Sequence, residues 1–139
     1  MRYAIVLSVA VLLSGCGGGS TSPESVVRGW SAALDRGDND RAARYFAAGA
    51  QVVQGGTVTR LRSEAAAIAF NRSLPCAGRI VDLRVEGSDV TAIFVLSDRP
   101  GSLCDGPGQK ASAVIRVRGG RIVLWHQVAT IQSSPGETI

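Results

Sequence analysis

From Arg79 onward the chain keeps a period of two. Val81, Leu83 and Val85 alternate with Asp82, Arg84 and Glu86, and Val90, Ala92, Phe94 and Leu96 alternate with Thr91, Ile93, Val95 and Ser97. Ala111, Ala113, Ile115 and Val117 then alternate with Ser112, Val114, Arg116 and Arg118. Successive side chains of a strand point to opposite faces, so this half folds as a sheet with one greasy side. Turns at Gly87-Ser88-Asp89 and Gly119-Gly120, and a Gly- and Pro-rich loop over 98–109, cut it into strands 79–86, 90–97, 110–118 and 121–130. In the last strand both sets are largely apolar: Val123, Trp125 and Gln127 alternate with Leu124, His126 and Val128.

A one-sided sheet needs a cover, and the preceding residues supply helices for it. Ser22-Pro23-Glu24 opens the first with a capping hydroxyl, a Pro in the first turn and an acid at the positive end of the dipole. Val26, Val27, Trp30, Ala33 and Leu34 make its apolar face. Gly37 ends it, and Asp38 can cap a second helix with apolar positions Ala42, Ala43, Tyr45 and Phe46. Residues 50–54 and 57–61 around Gly55-Gly56 read as a hairpin. Ser63 can cap a third helix over 64–74, which Pro75 stops. The order predicts one α+β domain over 23–132, followed by a polar tail over 133–139. A chain of 139 residues, 45% apolar and with a net charge of only +4, suits a single core and excludes disorder.

The beginning of the chain reads as an address. Met1-Arg2 supplies a positive charge, and Tyr3 to Leu13 is an apolar run broken only by Ser8, too short to span a bilayer. Leu13-Ser14-Gly15-Cys16 resembles the lipobox of bacterial lipoproteins. That resemblance implies removal of residues 1–15, lipid on Cys16, a linker over 16–22 and a domain held at the extracytoplasmic face of a membrane. Two or three acyl chains anchor stably where one does not. The other reading is an ordinary secretory signal with an incidental Cys. Fourteen Arg to one Lys looks like base composition, and without a basic run such a small charge argues against nucleic acid as partner.

With Cys16 taken by lipid, Cys76 and Cys104 remain, an even number in an oxidising compartment. Cys76 lies just before one strand and Cys104 in the loop after its hairpin partner, so a disulfide is expected; two buried thiols are the alternative. One His and no CxxC pair argue against a zinc site, and no metal or cofactor motif appears.

Two helices, a short hairpin, a third helix and a four-stranded meander resemble the nuclear transport factor two-like superfamily, including its SnoaL-like branch. Trp30-Ser31-Ala32-Ala33-Leu34-Asp35-Arg36-Gly37-Asp38 is similar to its first-helix ending, Ala43-Arg44-Tyr45-Phe46-Ala47 to its second helix, and Gly120 to Gln127 to its last strand. The resemblance implies a cone, three helices closing the concave side of a curved antiparallel sheet around a pocket. It places Trp30, Phe46, Phe70, Phe94, Leu96, Trp125 and Gln127 at that pocket and His126 on the outer face. The outer face often carries a dimer contact in this superfamily, and Ile93, Val95, Val114 and Leu124 are compatible with a homodimer here.

The superfamily includes isomerases, dehydratases, epoxide hydrolases and silent modules, so the fold leaves the activity open. The epoxide hydrolases use an Arg-x-Asp on a middle strand and an Asp on the final one; the matching positions are Phe94, Leu96 and Gln127, which cannot do that chemistry. Isomerase and dehydratase members use an Asp or Asp–His arrangement inside the cavity. Here His126 has the wrong strand parity, and Asp35, Asp38 and Asp40 fall at the turn between helices, where they read as caps and solvated charges. Trp125 and Gln127 could serve a ligand or a packed core with one satisfied polar group. The favoured expectation is a non-catalytic module that binds a small apolar ligand or a neighbouring protein. The runner-up is a small isomerase, dehydratase or hydrolase using His126 or an acid placed outside, and the third is a structural module assembling through the sheet.

Overall fold

A computed structural model describes residues 22–130. The expected signal at 1–15, the lipidation site Cys16, most of the linker and the 133–139 tail lie outside the described residues. Helix α1 (Pro23–Asp35) and helix α2 (Asn39–Arg44) precede strands β1 (Phe46–Gln54) and β2 (Thr57–Leu61). Helix α3 (Glu64–Ser73) leads into strands β3 (Cys76–Glu86), β4 (Asp89–Asp98), β5 (Lys110–Arg118) and β6 (Arg121–Val128). Each helix starts on its expected cap: Ser22, Asp38 and Ser63 side chains accept from the backbone N–H groups of Ser25, Arg41 and Ala66. Gly37, at φ 73°, takes the left-handed conformation that turns the chain from α1 into α2.

The strands form one curved six-stranded sheet in the order β2-β1-β6-β5-β4-β3. The meander β3 to β6 is antiparallel throughout, as its turns require. The pairing of β1 with β6 is parallel, and it makes the expected antiparallel sheet a mixed one. Helices cover one face only. There Val27, Val90, Ala92, Ala113, Ile115 and Ile122 are almost wholly buried and form the centre of the core.

Three local expectations need correction. Phe46 belongs to β1 and not to the second helix: Ile122 N donates to Tyr45 O and Phe46 pairs with Ile122, so sheet pairing ends α2 at Arg44. Strand β3 starts at Cys76, three residues earlier than its alternation suggests, because the ladder with β4 continues to Cys76 opposite Asp98. Two bulges also shift the face assignment. In β3 the register slips between Ile80 and Asp82, which puts Ile80 opposite buried Phe94 and leaves Val81 41% exposed. In β6 the pairs Arg116–Leu124 and Val117–Ile122 skip Val123, so Ile122 takes the core position.

Candidate functional site

Small residues on β5 and β3 leave room under α1. Ala111 and Ala113 present only methyl groups to the concave side, where Leu or Ile would fill the space. Gly78 on β3 allows a close approach, since a Cβ there would lie 3.0 Å from Phe94 Cβ and Cδ1. The result is a cavity of about 270 Å³. Trp30 and Leu34 of α1 and Leu74-Pro75 after α3 line it from one side; Phe94, Leu96 and Trp125 line it from the sheet.

An aromatic cluster stands at one end. Trp30 meets Phe46, Phe94 and Trp125 edge-to-face at centroid distances of 6.3, 6.3 and 6.2 Å. Phe70 packs against Phe46 at 5.7 Å and Trp125 at 5.2 Å in the same manner. Trp30 Nε1 donates to Asn71 Oδ1 at 2.8 Å, and Asn71 Nδ2 donates to Ala67 O at 2.8 Å, so the wholly buried amide fixes the Trp30 ring. Trp125 has no such support: its Nε1 is buried and makes no hydrogen bond among the described residues.

Five of the residues expected at the pocket line this cavity: Trp30, Phe94, Leu96, Trp125 and Gln127. Phe46 and Phe70 stand behind it in the aromatic cluster. Phe46 instead borders a second hollow, of about 380 Å³, with Arg44, Ser63, Glu64 and Arg121. Gln127 lies at the exposed rim, where its Oε1 is 3.5 Å from Gln54 Nε2. His126 pairs with Val114 on the opposite face from the Trp125–Ile115 pair, and it does not line the cavity.

Cys76 and Cys104 form a disulfide that ties the 99–109 loop to the start of β3. The loop is further held by Ser102 Oγ donating to Pro75 O at 3.0 Å and by Cys104 N donating to Asp98 Oδ1 at 2.8 Å. This brings Asp105 to the rim, with Oδ1 3.4 Å from Cys76 Sγ. Asp105, like Gln54, escaped the sequence reading; its place after a disulfide-bonded Cys was the available signal. Cys76, Cys104 and Asp105 lie together, but sulfurs joined in a disulfide offer no thiolate to a metal.

Buried charge lies beside the cavity and not on its wall. Arg99, 6% exposed, donates through Nη1 to Asn71 O and Leu74 O at 2.8 and 2.9 Å and through Nη2 to Asn39 Oδ1. Burial pulls the guanidinium below its ordinary value, opposed by the nearby Asp35 carboxylate. Asp35 is not the solvated charge expected from its turn position. Its Oδ1 accepts from Gly78 N at 2.8 Å, joining α1 to β3, and burial outweighs that bond to raise the carboxyl above its usual range. Asp38 does cap α2. Among the described residues, Asp105 is the one ionisable side chain lining the cavity.

No family model matches the sequence, and no curated protein matches it closely enough to count as a relative. Solved structures do match in shape. A nuclear transport factor two-like protein of unknown function from Cytophaga hutchinsonii superposes with a TM-score of 0.64 at 13% identity, covering 81% of this chain and 93% of that one. A candidate polyketide cyclase from Sinorhizobium meliloti gives 0.57 at 19% identity, covering 75% and 94%. A hypothetical protein with a ketosteroid isomerase-like fold from Catenulispora acidiphila, in complex with trimethylamine, gives 0.57 at 21% identity, covering 81% and 89%. The chain has the nuclear transport factor two-like fold, an α+β cone of three helices on a curved sheet.

Proposed function

We propose that this chain is an extracytoplasmic lipoprotein whose domain binds a small, mostly apolar molecule without transforming it. The observation that carries the reading is the composition of the cavity wall. Trp30, Leu34, Phe94, Leu96 and Trp125 dominate it, and no acid faces a base across it among the described residues. Proton transfer needs a positioned group of adjusted pKa at the reacting atom. Asp35, the carboxyl raised by burial, is turned instead to the Gly78 backbone. Small apolar pockets with a few polar groups at the edge suit binding.

The unpartnered Trp125 Nε1 adds a preference. A buried donor without a partner costs about 1–3 kcal/mol, so a rotation of the Trp125 ring that brought this N–H to an acceptor on a ligand would be favoured. The Catenulispora acidiphila neighbour of the same fold is in complex with trimethylamine, a small organic molecule, which is in keeping with a binding role.

The lipidated Cys16 confines the module to a membrane surface, where apolar molecules are concentrated. The test is native mass spectrometry on protein released from its own membranes. The expected spectrum shows a bound small molecule that is absent from Ala113→Phe, whose ring fills the cavity. A ligand-free mass for the wild-type protein counts against binding, and a product differing from the captured molecule favours the isomerase, dehydratase or hydrolase reading.

A further inference from the structure

The rim of the cavity carries charge of one sign. Among the described residues Asp105 is the only acidic or basic side chain on the wall, in a chain whose formal net charge is +4. The neighbouring cations are engaged or turned away. Arg99 is committed to Asn71, Leu74 and Asn39, and exposed Lys110 pairs with Val95 on the opposite side of the sheet from Phe94 and Ala111. The Asp105 carboxylate has no hydrogen-bond donor among the described residues, because the disulfide sulfur beside it bears no proton. It is nonetheless held in place: the Cys76–Cys104 bridge and the Cys104 N–H bond to Asp98 fix the residue just before it.

Chemistry is distributed unevenly along the mouth. Gln54 on β1 and Gln127 on β6 put neutral amides at one end. Asp105, beside the start of β3, stands towards the other end, four strands from β1 and three from β6 in the sheet order. Between them the wall is mostly hydrocarbon and aromatic, with Trp30, Phe94 and Trp125 offering rings and the hydroxyls of Ser31 and Ser112 hydrogen-bonded to Gly78 O and Thr130. Aromatic rings attract cations through their quadrupoles, and a carboxylate attracts an ammonium through charge. A carboxylate ligand would meet repulsion at Asp105, and a neutral one would leave it unpaired.

We propose that the cavity takes an apolar amine, its hydrocarbon body against Trp30, Phe94, Leu96 and Trp125 and its ammonium on the Asp105 carboxylate. The assignment rests on the binding role argued above and names the ligand class for the same site. Specificity then comes from one exposed acid, a contribution of up to about fivefold for a single surface pair and larger once the ligand excludes water.

Both tryptophans of the chain stand on the cavity wall, so their fluorescence reports binding directly. The full chain is titrated with phenethylamine, phenethyl alcohol and phenylacetate, which share a ring and differ in charge. Phenethylamine should bind about tenfold tighter than phenylacetate and severalfold tighter than the alcohol. Asp105→Asn, at an exposed position, should remove both margins. Binding of the alcohol with no preference for the amine, or a preference that survives Asp105→Asn, overturns the amine assignment while leaving the cavity a binding site. Failure of all three probes to change the fluorescence overturns both.

Discussion

At Asp35, burial and a hydrogen bond from Gly78 N pull the carboxyl in opposite directions, and burial prevails. The folded state therefore holds its proton more tightly than the unfolded chain does. Its stabilising contribution is complete below the ordinary value of 3.8 and is lost as pH rises through the raised folded value. Asp35→Asn keeps an acceptor for Gly78 N without the buried charge, so at neutral pH it should be at least as stable as the wild type. That advantage should vanish in acid, as urea titrations at several pH values would show. Asp35→Ala removes the acceptor and should cost about 1 kcal/mol in the same titrations. Asp89 has the opposite sign: its hydrogen bond from Arg116 Nε, 2.7 Å long, lowers the carboxyl, so its contribution is present above 3.8 and lost as pH falls through the lower folded value. Asn71 ties the aromatic cluster to α3 through its bond to Trp30. Asn71→Leu leaves Trp30 Nε1 without an acceptor in the core and should cost about 2 kcal/mol by chemical denaturation; a loss below about 0.5 kcal/mol would show that the ring is held by packing alone.

The elements differ in how plainly the sequence announces them. Helices α1 and α3 carry both a capping Ser and an apolar face, and the hairpins carry Gly turns, so local rules suffice for their existence. The bulges that expel Val81 and Val123 carry no comparable local signal: alternation runs smoothly through both positions, and the slip becomes visible only against the partner strand. Phe46 fits a helical face as well as a strand, and its pairing with Ile122, far along the chain, decides the outcome. Both faces of the last strand are apolar in sequence, so Trp125 and Gln127 are assigned to the pocket through the family resemblance and not by parity, while the lining by Gln54 and Asp105 depends on contacts between distant segments. The disulfide spans 28 residues, and closing such a loop stabilises by about 3–4 kcal/mol on the chain-entropy model. Cys76→Ala with Cys104→Ala should lower stability by that amount and release the Asp105 loop, measurable as faster hydrogen exchange over 99–109. Unchanged exchange would mean that the loop's hydrogen bonds, among them those of Ser102 and Cys104 N, hold it without the disulfide.

For the molecule as a whole, location and chemistry test separately. Cys16→Ser should abolish incorporation of labelled fatty acid and move the protein out of the membrane fraction, whatever the cavity does; an unchanged distribution contradicts the anchor. The fold itself admits enzymes and silent binders alike, and the difference lies in a few side chains on the concave wall. Among the described residues those side chains are aromatic, aliphatic, hydroxyl and amide, with a single carboxylate at the edge. The decisive measurement is to recover the molecule that copurifies with the protein, mix it with the protein at a hundredth of its concentration, and follow it by nuclear magnetic resonance. The binding account predicts a spectrum that stays that of the recovered molecule at all times. Accumulation of a new species in excess of the protein would contradict it and make the cone an active site.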